Sequence, residues 1–265
     1  VATYETIAEW QAAQGGGGSP WKNIWEIDFS TLGSDTWADG TQAITATAGD
    51  NLVSVNWTVG NQGNSTTFGP DGANGVVIDP TSSPSTLWWS SSDTAPYIEA
   101  DLADLLGEAM SRDDVYSFQM EWSGDVIGAN YEAVGLGVVD STTKGPTNRV
   151  RYANGEKWTP GRFNSSTSHS FTDVALIGVT GTQIVIFGGG VGYRCGRSTT
   201  GIGAVGDMMD QSNAAKDFGT MISNTPGNTA QHMDVDSLKV KLFVEKQGGA
   251  AAYSQTLSKF SLWKK

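Results

Sequence analysis

The acidic residues with the spacing most able to do chemistry lie in Glu99-Ala100-Asp101-Leu102-Ala103-Asp104. On a strand, residues two apart share a face, so Glu99 and Asp101 point the same way. Retaining glycoside hydrolysis uses two carboxyls about 5–5.5 Å apart, one as nucleophile and one as acid/base. Against that chemistry, Leu102, Leu105, Leu106 and Met110 are spaced for a helix that Asp101 would cap. A helix starting there scatters the three carboxyls. The expectation is therefore a solvated strand end with a helix cap, and no catalytic set.

Other constellations fare similarly. His232, Asp234 and Asp236 alternate, so on a strand they would aim three ligands at one metal. The competing reading is a polar strand end leading into Leu238, and no metal site is expected. Nucleophilic hydrolysis needs a histidine beside a serine or cysteine. His169 and His232 are the only histidines, and no Gly-x-Ser-x-Gly elbow occurs. Cys195, the single cysteine, stands between Arg194 and Arg197, which would favour its thiolate. It is read as an inert thiol on a loop or in a small pocket. Gly201-Ile202-Gly203-Ala204-Val205-Gly206 matches the dinucleotide-binding glycine spacing, but Arg197-Ser198-Thr199-Thr200 before it make no core strand. No cofactor is expected.

Binding is better served than catalysis. Trp88-Trp89 sits between Pro84 and Pro96. Adjacent residues of a strand face opposite ways, so one indole of the pair can stand exposed, to stack on a sugar ring or anchor a protein contact. Trp158, with Trp37 and Tyr152, is a further aromatic near a loop.

The elements that must carry these residues alternate with a period of two. Trp25, Ile27 and Phe29 alternate with Glu26 and Asp28. Val53, Val55, Trp57 and Val59 alternate with Ser54, Asn56 and Thr58. Tyr116, Phe118, Met120 and Trp122 do so with Ser117, Gln119 and Glu121, and Leu238, Val240, Leu242 and Val244 with Lys239 and Lys241. Each predicts an antiparallel strand with one buried and one wet face. Weaker strands are expected at 75–78, 97–99, 134–139, 174–179, 184–187 and 260–263. Turns are expected at Asp39-Gly40, Gly49-Asp50, Asp71-Gly72, Asn154-Gly155 and Gly181-Thr182. Residues 188–232 read as a glycine-rich excursion with a helix near 205–217.

Residues 1–20 stand apart. Thr3 can cap a helix over 3–13 on which Ile7 and Trp10 share a face, and Gly15-Gly16-Gly17-Gly18 follows as a joint. The sharper reading makes this segment an attachment, with Ile7 and Trp10 as its anchor. Residues 21–265 are then expected to form one all-β antiparallel sandwich. Ten tryptophans and 38% hydrophobic residues suffice for its core, and 34 glycines suit many turns. The formal charge of −12 repels phosphate backbones, which sets nucleic acid aside as a partner. No run approaches the length of a membrane span, so no membrane partner is expected. The start, Val1-Ala2-Thr3, lacks the features of a secretory leader and is expected of a protein made in the cytoplasm.

The opening Trp21-Lys22-Asn23-Ile24-Trp25-Glu26-Ile27-Asp28-Phe29-Ser30, the late run from Leu238 to Val244 and the terminal Phe260-Ser261-Leu262-Trp263 together resemble the concanavalin A-like lectin/glucanase jelly roll. More narrowly, the opening and the Gly/Ser/Thr-rich texture look like such domains in structural proteins of tailed phages. The resemblance implies first and last strands lying together. It implies a non-enzymatic virion protein, decorating the capsid or part of a fibre. Its partners would be other capsid or tail proteins and a host surface glycan, with a trimer as the plausible oligomer. A lectin-like carbohydrate-binding module, with calcium in a loop, is the alternative. The glucanase branch, which uses Glu-x-Asp-x-Glu or Glu-x-Asp-x-x-Glu, implies a hydrolase. Glu26-x-Asp28 lacks the final acid, and at Glu99, Asp101 and Asp104 an aspartate stands where the final glutamate belongs.

Overall fold

The computed structural model describes residues 22–48, 51–81, 94–107, 115–124, 133–141, 145–152, 156–165, 168–171, 174–175, 181–188, 192–198, 237–246 and 254–264. Strands β1 (Lys22–Asp28), β2 (Gly40–Ala48), β3 (Asn51–Gly60), β4 (Ser65–Pro70), β5 (Val76–Pro80) and β6 (Tyr97–Asp101) lead into a short helix, α1 (Leu102–Leu106). Then come β7 (Val115–Gly124), β8 (Ala133–Val139), β9 (Gly145–Tyr152), β10 (Glu156–Ser165), β11 (Ser168–Phe171) and β12 (Val174–Ala175). β13 (Gly181–Gly188), β14 (Gly192–Ser198), β15 (Lys239–Glu245) and β16 (Gln255–Lys264) complete the described strands.

Their pairings join in the order β11-β10-β9-β8-β15-β6-β3-β2-β1-β16-β7-β13-β14, with β5 also on β16. The first and last of these strands lie side by side, Lys22 opposite Lys264 and Ile27 opposite Phe260. Between β1 and β2 only Glu26 and Thr47 are paired. The network folds over at that join. β13 comes to face β8 and β9, and β14 faces β9. The result is an all-β antiparallel sandwich, as the alternating sequence predicts.

The core lies between the layers, where the apolar members of each alternation meet. Trp25 and Trp57 cross edge to face at 6.4 Å, and both approach Phe260 at 5.5 Å. Such ring pairs add roughly 0.5–1.5 kcal/mol each beyond the area they bury. Trp37, a loop-proximal aromatic whose exposure the sequence leaves open, belongs to this core. It is buried, and its ring lies 6.3 Å from Phe68.

Two strands differ from the one-wet-face expectation. In β7 every side chain from Tyr116 to Met120 is buried, Ser117 and Gln119 included. In β15 Lys241, Phe243 and Glu245 are as buried as Val240, Leu242 and Val244. Both faces of these central strands are covered. Alternation in sequence gives polarity, and it does not show what lies over the polar side.

Other expectations shift. Gly181-Thr182 is not a turn, since both residues pair within β13. The glycine-rich excursion contains β14, where Cys195 pairs with Val185. Helix α1 begins where the leucine spacing places it and ends at Gly107, whose φ of +69° suits a residue without Cβ. Asp101 occupies its N-cap position, but the side chain makes no capping bond. The expected helix at 3–13, with Ile7 and Trp10, lies outside the described residues, as do Met110, the helix near 205–217 and the Gly201–Gly206 run.

Candidate functional site

Strand pairing fixes which predicted residues meet. Glu99 of β6 is paired with Thr58 of β3 on one side and Lys241 of β15 on the other. Asp101 is paired with Lys239. Residues two apart share a face, so Tyr97, Glu99, Asp101, Lys239, Lys241 and Phe243 project together from the side opposite the core.

Lys239 organises the exposed part of this face. Its Nζ donates to Glu99 Oε1 at 2.9 Å and lies 4.0 Å from Asp101 Oδ1. The hydrogen bond to Glu99 holds the ammonium above the ordinary lysine range, with the two carboxylate charges adding to it and partial burial opposing it. Glu99 and Asp101 are thus brought together, with an ammonium as their shared partner. A retaining pair needs that space for the sugar.

Asp104 is placed elsewhere. It is exposed on α1 and lines a shallow cleft of about 510 Å³ with Ser54, Val55, Asn56, Ala103 and Gly107. Neither Glu99 nor Asp101 lines that cleft. The helix that the leucine spacing predicts separates the third acid from the first two.

The deeper part of the face is laid flat by glycines. The Tyr97 ring lies where a side chain at Gly60 would stand, and the Phe243 ring and the Arg149 stem lie where one at Gly135 would stand. Lys241 Nζ sits 3.7 Å over the Tyr97 ring, a cation–π contact. Arg149 Nη1 and Glu245 Oε2, both buried, form an ion pair at 3.5 Å.

The remaining sites separate. Glu26 and Asp28 project from β1, in the other layer, and Lys259 stands 4.0 Å from the first and 3.7 Å from the second. Cys195 lies on a strand and not on a loop. It is fully buried in β14, its Sγ donates to the Thr147 carbonyl at 3.5 Å, and burial pushes the thiol well up. Trp158 pairs through its backbone with Val150 and Val174, and Tyr152 with Glu156. Trp88, Trp89, His232, Asp234 and Asp236 lie outside the described residues. Among the described residues no three His, Cys, Asp or Glu side chains gather to hold a metal. No described helix is long and apolar enough to cross a membrane.

The sequence reading missed Lys239 as the partner of Glu99. The alternation that places Lys239 and Lys241 on the polar face of a strand was the available signal, but nothing in it says which strand lies next door.

No protein-family model matches the chain, and no curated protein matches it. Among solved structures, the GH43 protein BlXynB of Bacillus licheniformis is 14% identical, with a TM-score of 0.43 over 70% of this chain and 36% of its own. The binding domain of botulinum neurotoxin serotype D/C is 8% identical, with a TM-score of 0.49 over 91% of this chain and 48% of its own. The CBM2 module of the evolved Dit of Lactobacillus casei BL23 phage J-1 is 6% identical, with a TM-score of 0.44 over 92% of this chain and 96% of its own. This chain spans about a third to a half of the length of the first two. Likenesses of this degree carry no argument about function.

Proposed function

We propose that the chain is a non-enzymatic binding module whose β3–β6–β15 face contacts a glycan or a polar protein surface. We further propose that it serves as a structural protein of a tailed-phage particle. The observation that carries the binding reading is Lys239, which is hydrogen-bonded to Glu99 and ion-paired with Asp101. Beside it Thr58 stands exposed, paired with Glu99, and Ser54, Asn56 and Asp104 stand exposed around an open cleft. Such a surface offers donors and acceptors in a fixed pattern, which suits hydroxyl-rich partners and leaves the carboxyls engaged with each other's counter-charge. The particle role rests on the opening Trp25-Glu26-Ile27-Asp28-Phe29 and the texture it shares with tailed-phage domains. The pairing of β1 with β16 agrees with that resemblance.

The full chain, with and without calcium, is to be applied to a glycan array and assayed for release of reducing ends from the glycans it binds. Binding without cleavage, weakened in Lys239→Met, is the expected result. Cleavage that disappears in Glu99→Gln would establish the hydrolase reading instead. Deleting residues 1–18 should abolish attachment to a particle and leave glycan binding intact.

A further inference from the structure

The outer face of the β2–β3 ribbon carries no charge. Four rows cross it: Thr41 with Thr58, Ala43 with Asn56, Thr45 with Ser54, and Thr47 with Leu52. All eight residues are exposed, while Ile44, Ala46, Val55, Trp57 and Val59, which alternate with them, lie in the core. An ordinary solvated surface is roughly 25–35% charged, so two or more of eight positions would be acidic or basic. Here the four threonines, Ser54 and Asn56 present hydroxyls and an amide instead.

These groups are held ready for a partner. A threonine on a strand is stiff at χ1, so its hydroxyl and methyl keep fixed positions. Covering such a face costs little side-chain freedom, in contrast to a face of lysines or glutamines. Each hydroxyl both donates and accepts, as does the amide. The one aromatic of the two strands, Trp57, is buried in the core, so this face does not hold a ligand by ring stacking. Leu52, 76% exposed at the far end of the ribbon, is its one large apolar side chain. Protein contacts are anchored by clusters of such residues, which this face lacks. It suits a partner with repeated hydroxyls of its own.

The ribbon is also a track with a wall. From Thr47 to Thr41 it runs about 20 Å at ~3.4 Å per residue. Ser54 and Asn56 line one side of the open cleft of about 510 Å³, and Ala103 and Asp104 of α1, with Gly107 at its end, line the other. All five of these residues are exposed, so the cleft is reached directly from solvent. Asp104 is the one charged residue lining it. Its carboxylate accepts from hydroxyls and, with the formal charge of −12, repels anions. Past Thr58 the ribbon joins the Lys239 row through Glu99, the residue opposite in β6.

We propose that this face is a binding track for an uncharged linear polysaccharide, laid along β2 and β3 against α1. Its hydroxyls exchange hydrogen bonds with Thr45, Ser54, Asn56 and Thr58, and Asp104 accepts one from the side of the wall. The C–H faces of the sugars rest on the threonine methyls and Ala43. The inference rests on the glycan reading of the β3–β6–β15 face and names its substrate class, an extended neutral chain, with polyuronates excluded.

The test is calorimetric titration of the full chain with cellohexaose, mannohexaose, xylohexaose, maltohexaose and a galacturonate hexamer. At least one neutral hexamer should bind saturably, about tenfold or more tighter than its disaccharide, and the galacturonate should not bind. A lost hydrogen bond costs roughly two- to tenfold in affinity. The double variant Thr45→Val/Asn56→Ala should therefore bind about fivefold or more weakly, with a melting temperature that shows the fold intact. Failure of all four neutral hexamers, equal binding of the galacturonate, or full affinity in the double variant would each overturn the track. Binding lost in Lys239→Met but unchanged in the double variant would leave the Lys239 row as the glycan site and remove this one. A chain that binds no glycan of any kind would remove both. A free chain that sediments as a dimer, reverts to monomer in Leu52→Ser and binds no hexamer would assign the ribbon to a second copy.

Discussion

The indole nitrogen of Trp25, in the first described strand, lies 2.9 Å from the carbonyl oxygen of Leu105, near the end of α1. The final carbonyls of a helix lack partners within it, and this buried bond supplies one while pinning α1 to the core. Trp25→Phe keeps an aromatic ring against Trp57 and Phe260 but removes the donor. It should cost about 1–3 kcal/mol, read as a lower midpoint in chemical denaturation. An unchanged midpoint would show that the bond contributes nothing.

Cys195 should be silent in the native protein. Its thiol is buried against the Thr147 carbonyl, and burial disfavours the reactive thiolate. A thiol reagent such as DTNB should leave the folded chain unmodified and react fully in guanidinium. Rapid labelling without denaturant would contradict this placement.

The Glu26 carboxyl gives a pH signature. Partial burial holds its folded value above the ordinary 4.5 although Lys259 opposes this, so the native state holds the proton to higher pH than the unfolded chain does. Its contribution to stability is fully present below 4.5 and is lost as the pH rises through the raised value. Above that window the ionised group opposes folding. Glu26→Gln should therefore raise the melting temperature at pH 7 and bring no gain at acidic pH. A gain of equal size at both would separate the effect from ionisation.

Two glycines should respond differently to alanine. Gly75 has φ +127°, and a side chain there would run into the backbone carbonyl of Leu257 on β16. Gly107 has φ +69°, with open space where a side chain would go. Gly107→Ala should carry only the left-handed penalty of roughly 1–2 kcal/mol. Gly75→Ala should lose clearly more, because β5 must move off β16. Thermal melts of the two variants make the comparison.

How much of this was legible depended on how far each feature reached along the chain. Trp25-Glu26-Ile27 and Val55-Asn56-Trp57 declare their strands because alternation is a local property. The leucines at 102, 105 and 106 declare α1 equally well, and with it the separation of Asp104 from Glu99. Cys195 was misplaced because Gly192 and Gly196 make β14 look like a loop, although backbone pairing to β13 is indifferent to their missing side chains. The burial of Gln119 and Lys241 was out of reach, since a polar residue on a strand says nothing about what covers it. Least legible were the rows, Glu99 with Lys239 and Asp28 with Lys259 and Glu121. They exist only because β15 runs beside β6 and β16 runs between β1 and β7, an order that pairwise spacing does not encode.

The pairing of Lys22 with Lys264 also governs how the molecule would bear load. A pull applied through those two positions acts at one end of a single ladder, so its hydrogen bonds give way in succession and never share the force. Stretched this way the body should unzip at low tension, β1 peeling from β16 and drawing Trp25 away from Phe260 and Trp57.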